Sequence, residues 1–136
     1  MSCKSAIYTA MSTPTALTTG STIPLGTTIR RFGRNLLQEG NGIMLLGTGY
    51  YDVSASITVA PATAGTVTAT LFQDGVAVPG ATASAAVTTA GNPVNLSVEA
   101  MVLHCCECGA GILTLVLTST VASATVNNAS VVVEKI

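Results

Sequence analysis

The residues with the most evident capacity for chemistry stand together at His104-Cys105-Cys106-Glu107-Cys108. Thiolates and an imidazole are ligands that zinc takes, each about 2.0–2.3 Å from the ion. In an extended strand His104, Cys106 and Cys108 fall on one face at steps of about 6.5–7 Å. One strand at that spacing does not close a tetrahedron, so a bent loop or several copies around a symmetry axis would be needed. His104, Cys106 and Cys108 are thus the metal candidates. Disulfide bonding, with Cys3, Cys105, Cys106 and Cys108 as candidates, and free thiols are the competing readings. Four cysteines leave the redox compartment open.

Other catalytic arrangements fail on residue type. A hydrolase needs a nucleophile, a base and a group that orients the base. Here His104 beside Cys105 and Cys106 is adjacency in sequence, and neighbouring strand residues face opposite ways. Carboxylate pairs for glycoside chemistry must come from Glu39, Asp52, Asp74, Glu99, Glu107 and Glu134. Asp74 is accounted for by a turn and Asp52 by a strand. No glycine-rich phosphate loop precedes a helix pattern. The chain is expected not to be an enzyme and to need no cofactor. Arg30, Arg31 and Arg34 form the one basic cluster, read as a solvated or inter-subunit patch or as a contact for an acidic partner. Tyr50 and Tyr51, with Arg30 and Arg31, are the ligand-contact candidates, because a tyrosine on an exposed face can stack on a sugar. Asn95-Leu96-Ser97 and Asn128-Ala129-Ser130 match the glycosylation pattern and are read as chance.

The elements that carry these residues are strands. Gly42 to Val59 reads as two of them around Gly47-Thr48-Gly49. Ile43 and Leu45 share a face, and Tyr51, Val53, Ala55, Ile57 and Val59 alternate with Tyr50, Asp52, Ser54, Ser56 and Thr58. That two-residue period places one face in a core. Before it, Ser5–Ala10 and Thr27–Phe32 read as strands, joined by a Thr/Ser/Pro-rich connection from Met11 to Gly26. A short strand and turn follow around Glu39-Gly40-Asn41-Gly42. After it, Thr66–Phe72 and Val76–Val78 flank Gln73-Asp74-Gly75, a hairpin signal because the turn needs positive φ. Pro79-Gly80 breaks or bulges the strand, and Ala81–Thr88 continues it. Val94–His104 is a long alternating strand. Cys105–Gly111 is a tight loop, and Ile112–Thr118 and Ala129–Lys135 close the chain. No apolar 3.6-residue period occurs. Eight to ten short strands at regular spacing predict an all-β sandwich or barrel.

Composition points to assembly. Charged residues make up 8% and aromatics 4%, while 49% of residues are hydrophobic; ordinary domains carry about 25% charged residues. Disordered chains are polar and charged, so disorder does not explain these figures. Surface hidden by other subunits does. The net charge of −1 offers no footprint for nucleic acid. No apolar run of about 18 residues predicts a membrane span. Met1-Ser2-Cys3-Lys4 leads into a strand-like segment, so no secretory signal is expected. One domain over residues 1–136 suits the length.

Gly42-Ile43-Met44-Leu45-Leu46 followed by Gly49-Tyr50-Tyr51-Asp52-Val53, with the apolar ending Ser130–Ile136, resembles the tumour-necrosis-factor and complement-globular-head superfamily. Ser5–Ala10, Ile29–Gly33, Asp74-Gly75-Val76 and Val131–Ile136 are similar to its bacterial and bacteriophage members, including the heads of collagen-like spore-surface proteins. The resemblance implies a ten-stranded jelly roll, assembled as a homotrimer and used for display, attachment or receptor binding. With no collagen Gly-x-y stalk, a phage virion fibre or decoration protein is favoured over a spore-surface structural protein. A carbohydrate-binding module is the further alternative, and a metal or redox protein built on the cysteine cluster another. The implied partners are the chain itself and a surface receptor or glycan, at a virion or bacterial or spore surface. The family's calcium sites are not carried over, since no acidic cluster is visible. The resemblance also implies a sheet ordered first strand, last strand, Tyr50–Val59 strand, Val94–His104 strand. In that order Cys3 and the cysteine loop lie at the same end but on opposite edges, roughly 14 Å apart by strand spacing. That exceeds the span of a disulfide, so Cys3 is expected to meet the cysteine loop of the next subunit around a threefold axis.

Overall fold

The computed structural model describes residues 4–105, 111–121 and 123–136. Among them lie twelve strands and no helix: β1 Ala6–Met11, β2 Thr15–Thr18, β3 Ser21–Thr22, β4 Thr27–Phe32, β5 Leu36–Glu39, β6 Gly42–Leu45, β7 Gly49–Pro61, β8 Gly65–Gln73, β9 Val76–Val87, β10 Val94–His104, β11 Ile112–Ser119 and β12 Ser123–Lys135. They form two antiparallel sheets. The first is ordered β10-β7-β12-β1-β4, with β2 also on β12; the second is ordered β5-β6-β11-β8-β9, with β3 also on β11. No described helix is long and apolar enough to cross a membrane.

Alternation makes this a sandwich. Along β7, Tyr51, Val53, Ala55, Ile57 and Val59 are buried. On β8 the buried residues are Val67, Ala69 and Leu71, and on β11 Leu113, Leu115 and Leu117. Each strand turns every second side chain inward, and the inner faces pack into one core. Fully burying a side chain of this size contributes about 1.5–3 kcal/mol, which offsets the entropy of ordering so many short strands.

The order β1-β12-β7-β10 is the one the resemblance implied, but β4 pairs outside β1, so β1 is not the edge strand that the expectation for Cys3 assumed. Twelve strands replace the expected ten, and both extra ones come from the Thr/Ser/Pro-rich connection. β2 pairs with β12 and β3 with β11, so the connection crosses from one sheet to the other. Ile23 and Leu25, on either side of Pro24, anchor it in the core. The last strand starts at Ser123 rather than Ala129. Its pairing with β7 shifts between Val126 and Asn128. This bulge lets Val126 and Ala129, three residues apart, both point inward. Pro79-Gly80 likewise bulges β9 without ending it, where the β8–β9 register shifts between Thr70 and Phe72.

The Asp74-Gly75 turn is as tight as its residues suggest, with φ of 53° and 82°. Asp74 also ties this hairpin to β11. Its amide donates to the Ile112 carbonyl at 2.9 Å, and its Oδ1 accepts from the Ile112 amide at 3.0 Å. Gln73 Nε2 donates to the Leu103 carbonyl at 3.0 Å, which clips the end of β8 in the second sheet to β10 of the first.

Candidate interaction surface

The outer face of the first sheet carries most of the exposed apolar bulk, and strand pairing sets it out in rows. One row runs Arg30, Tyr8, Val132, Ser54, Glu99 across β4, β1, β12, β7 and β10. The next runs Phe32, Ala6, Glu134, Asp52, Met101. Beyond it Tyr50 pairs with Leu103, and the Ile136 amide donates to the Tyr50 carbonyl at 3.0 Å. Phe32 and Met101 are each 62% exposed, and Tyr8, Tyr50, Leu103, Val132 and Ile136 are exposed as well. Nothing in the alternation requires large apolar residues outside. Their inward neighbours Ile7, Tyr51, Val102 and Val133 already fill the core.

Two hollows mark the ends of these rows. At one edge Ala6, Tyr8, Arg30, Phe32 and Val132 line a shallow pocket of about 160 Å³. At the other, Val76, Val78, Pro79, Met101 and Leu103 line a groove of about 330 Å³ between β9 and β10. Val76, 70% exposed, stands at its rim. Between the two hollows Asp52 and Glu134 face each other across β7 and β12. Like charges directly opposite in a sheet are mildly destabilising. No ion pair relieves either of them among the described residues.

The residues expected to make contacts separate cleanly. Tyr50 is exposed on this face. Tyr51 is fully buried, and its hydroxyl donates to the Gly47 carbonyl at 2.6 Å and accepts from the Gly47 amide at 3.2 Å. Its ring is out of reach of a sugar and braces the crossing from β6 to β7. Arg30 lies on the outer face beside Tyr8. Arg31 turns toward the second sheet, where its Nε donates to the Leu36 carbonyl. Arg34 is exposed in the loop between β4 and β5.

His104 is buried at the end of β10. A Cβ on Gly111 would stand 2.6 Å from its Nδ1, so the imidazole packs against a position that only glycine leaves open. Cys105 is half-buried and is not a free thiol. Cys3, Cys106 and Cys108 lie outside the described residues. Among the described residues no three His, Cys, Asp or Glu side chains are grouped to hold a metal. The candidates missed from sequence are Phe32, Tyr8, Val132, Met101, Leu103 and Glu99. Their signal was present in β10: its outward series Asn95, Ser97, Glu99 turns apolar at Met101 and Leu103.

No protein-family model matches the sequence, and no curated protein sequence is significantly similar to it. Solved structures do match along nearly the whole chain. The PRD1 vertex protein P5 superposes with a TM-score of 0.67 at 13% identity, covering 97% of this chain and 96% of its own. Murine APRIL gives 0.68 at 11% identity, covering 98% and 99%. The globular domain of zebrafish complement 1qA gives 0.66 at 6% identity, covering 98% and 96%. The fold is the tumour-necrosis-factor and complement-head jelly roll. In this TNF-like chain the apolar rows lie on the sheet that holds both the first and the last strand.

Proposed function

We propose that this chain is a non-enzymatic structural protein that assembles as a homotrimer through the outer face of its first sheet. In this reading it is displayed as a fibre or decoration protein of a phage virion and acts in attachment. The observation that carries the proposal is the pair of apolar hollows at the two edges of the first sheet, one against β4 and one between β10 and β9. A contact between two unlike patches is head-to-tail, and such contacts close into rings when the rotation permits. A ring of three covers every copy of both patches. An apolar surface of this kind on a chain with 8% charged residues favours association over a free monomer.

The virion placement is supported by the likeness to a phage vertex protein. Attachment would fall to surfaces left open by the trimer, such as the loops and the outer face of the second sheet. The Cys3 contact with the neighbouring subunit's cysteine loop belongs to this reading: β1 begins at the end of the sheet where β10 finishes, although β4, not β1, forms the edge that would face the neighbour. Antibody labelling of purified particles, read by electron microscopy, tests the placement. Label on virions supports it, and label confined to spore or cell surfaces contradicts it.

A further inference from the structure

We infer that the trimer contact is keyed by one charge pair, Arg30 of one subunit with Glu99 of the next, set beside an apolar pair, Phe32 with Met101. The inference rests on the homotrimer reading above and specifies which residues of that face meet.

Strand pairing puts Arg30 and Glu99 at the two ends of the same row, on the edge strands β4 and β10. Phe32 and Met101 end the adjacent row in the same way. In the proposed arrangement the threefold axis runs along the strands at the two edges, and rotation about such an axis keeps each edge residue at its own height. One end of a row therefore meets the opposite end of the same row in the neighbouring copy. Cation then meets anion, and ring meets thioether, with no shift of register. Within the chain Arg30 and Glu99 are too far apart to pair, since three strands separate them. Neither makes an ion pair with another described residue. Among the described residues, the one alternative acidic partner for Arg30 on this face is the Asp52–Glu134 pair in the centre of the next row. Edge charges that match across an interface fix register and suppress wrong docking. That serves a chain whose apolar contacts alone would tolerate sliding by two residues.

The test is a charge swap on the full chain, read by light scattering across a dilution series, with far-ultraviolet circular dichroism confirming the fold. Arg30→Glu and Glu99→Arg each raise the concentration at which the trimer half-dissociates by about tenfold or more, because like charges then face each other at three contacts. The double swap, Arg30→Glu with Glu99→Arg, returns the midpoint to within about threefold of wild type. Should either reversal unfold the chain, Arg30→Gln, Glu99→Gln and their double variant form a milder cycle. There each single change raises the midpoint, and the double raises it no further. A wild-type trimer indifferent to the single swaps overturns the pairing and leaves the trimer standing. So does rescue of Arg30→Glu by Asp52→Arg but not by Glu99→Arg. A wild-type chain that is monomeric throughout overturns both readings.

Discussion

Phe32→Ser should loosen the trimer without harming the subunit. Phe32 ends β4 with 62% of its surface exposed in the single chain, so it contributes little to the core. Full burial of such a side chain is worth about 1.5–3 kcal/mol, and the exposed part accounts for roughly 1–2 kcal/mol of that. Three copies per trimer bring the loss to about 3–6 kcal/mol. At about 1.4 kcal/mol per tenfold, the trimer dissociation constant rises by roughly two to four orders of magnitude. The half-dissociation concentration follows the square root of that constant, so it rises about 10- to 100-fold. Light scattering over a dilution series reads the shift directly. Leu37→Ser is the control, since Leu37 is exposed on β5 of the other sheet and should leave the midpoint in place. A Phe32→Ser midpoint within about threefold of wild type, or an equal shift from Leu37→Ser, would refute the assignment of this face.

Two further outcomes concern the subunit itself. Thr9 is fully buried, and its Oγ1 has no hydrogen-bond partner among the described residues; an unsatisfied buried hydroxyl costs about 1–3 kcal/mol. Thr9→Val keeps the shape and removes the hydroxyl, so the melting temperature should rise by roughly 3–5 °C for a gain of about 1 kcal/mol, and a fall would mean that the hydroxyl has a partner. Gly75→Val places a β-branched residue at φ 82° in open space, so only backbone strain opposes it. Denaturant melts should show a loss of about 1–3 kcal/mol per subunit, and an unchanged midpoint would contradict the tight turn.

The core was legible in the sequence wherever alternation held its phase. Tyr51 to Val59 and Leu96 to Val102 point inward as the two-residue period requires, and Asp74-Gly75 makes the turn its residues favour. The pattern was hidden where a bulge changed phase. Val126 and Ala129 both face the core, and a strict period of two puts them on opposite faces, so the first half of β12 read as a connection. β2 and β3 were hidden for another reason. Each is short and held by strands about a hundred residues away, and Pro14 and Pro24 argued locally against strands. The interaction face was the least legible part. Tyr50 and Tyr51 are equivalent by type, yet the pleat exposes one and buries the other. Phe32 and Met101 are 69 residues apart in sequence, and only the sheet order places them at the ends of one row.

Sedimentation equilibrium of the purified full chain at micromolar concentration tests the central claim most directly. One chain is 13.6 kDa. Head-to-tail burial of the first sheet's outer face predicts a single species of three times that mass, reverting to the chain mass only on strong dilution. A species that holds the mass of one chain across the whole concentration range would contradict it.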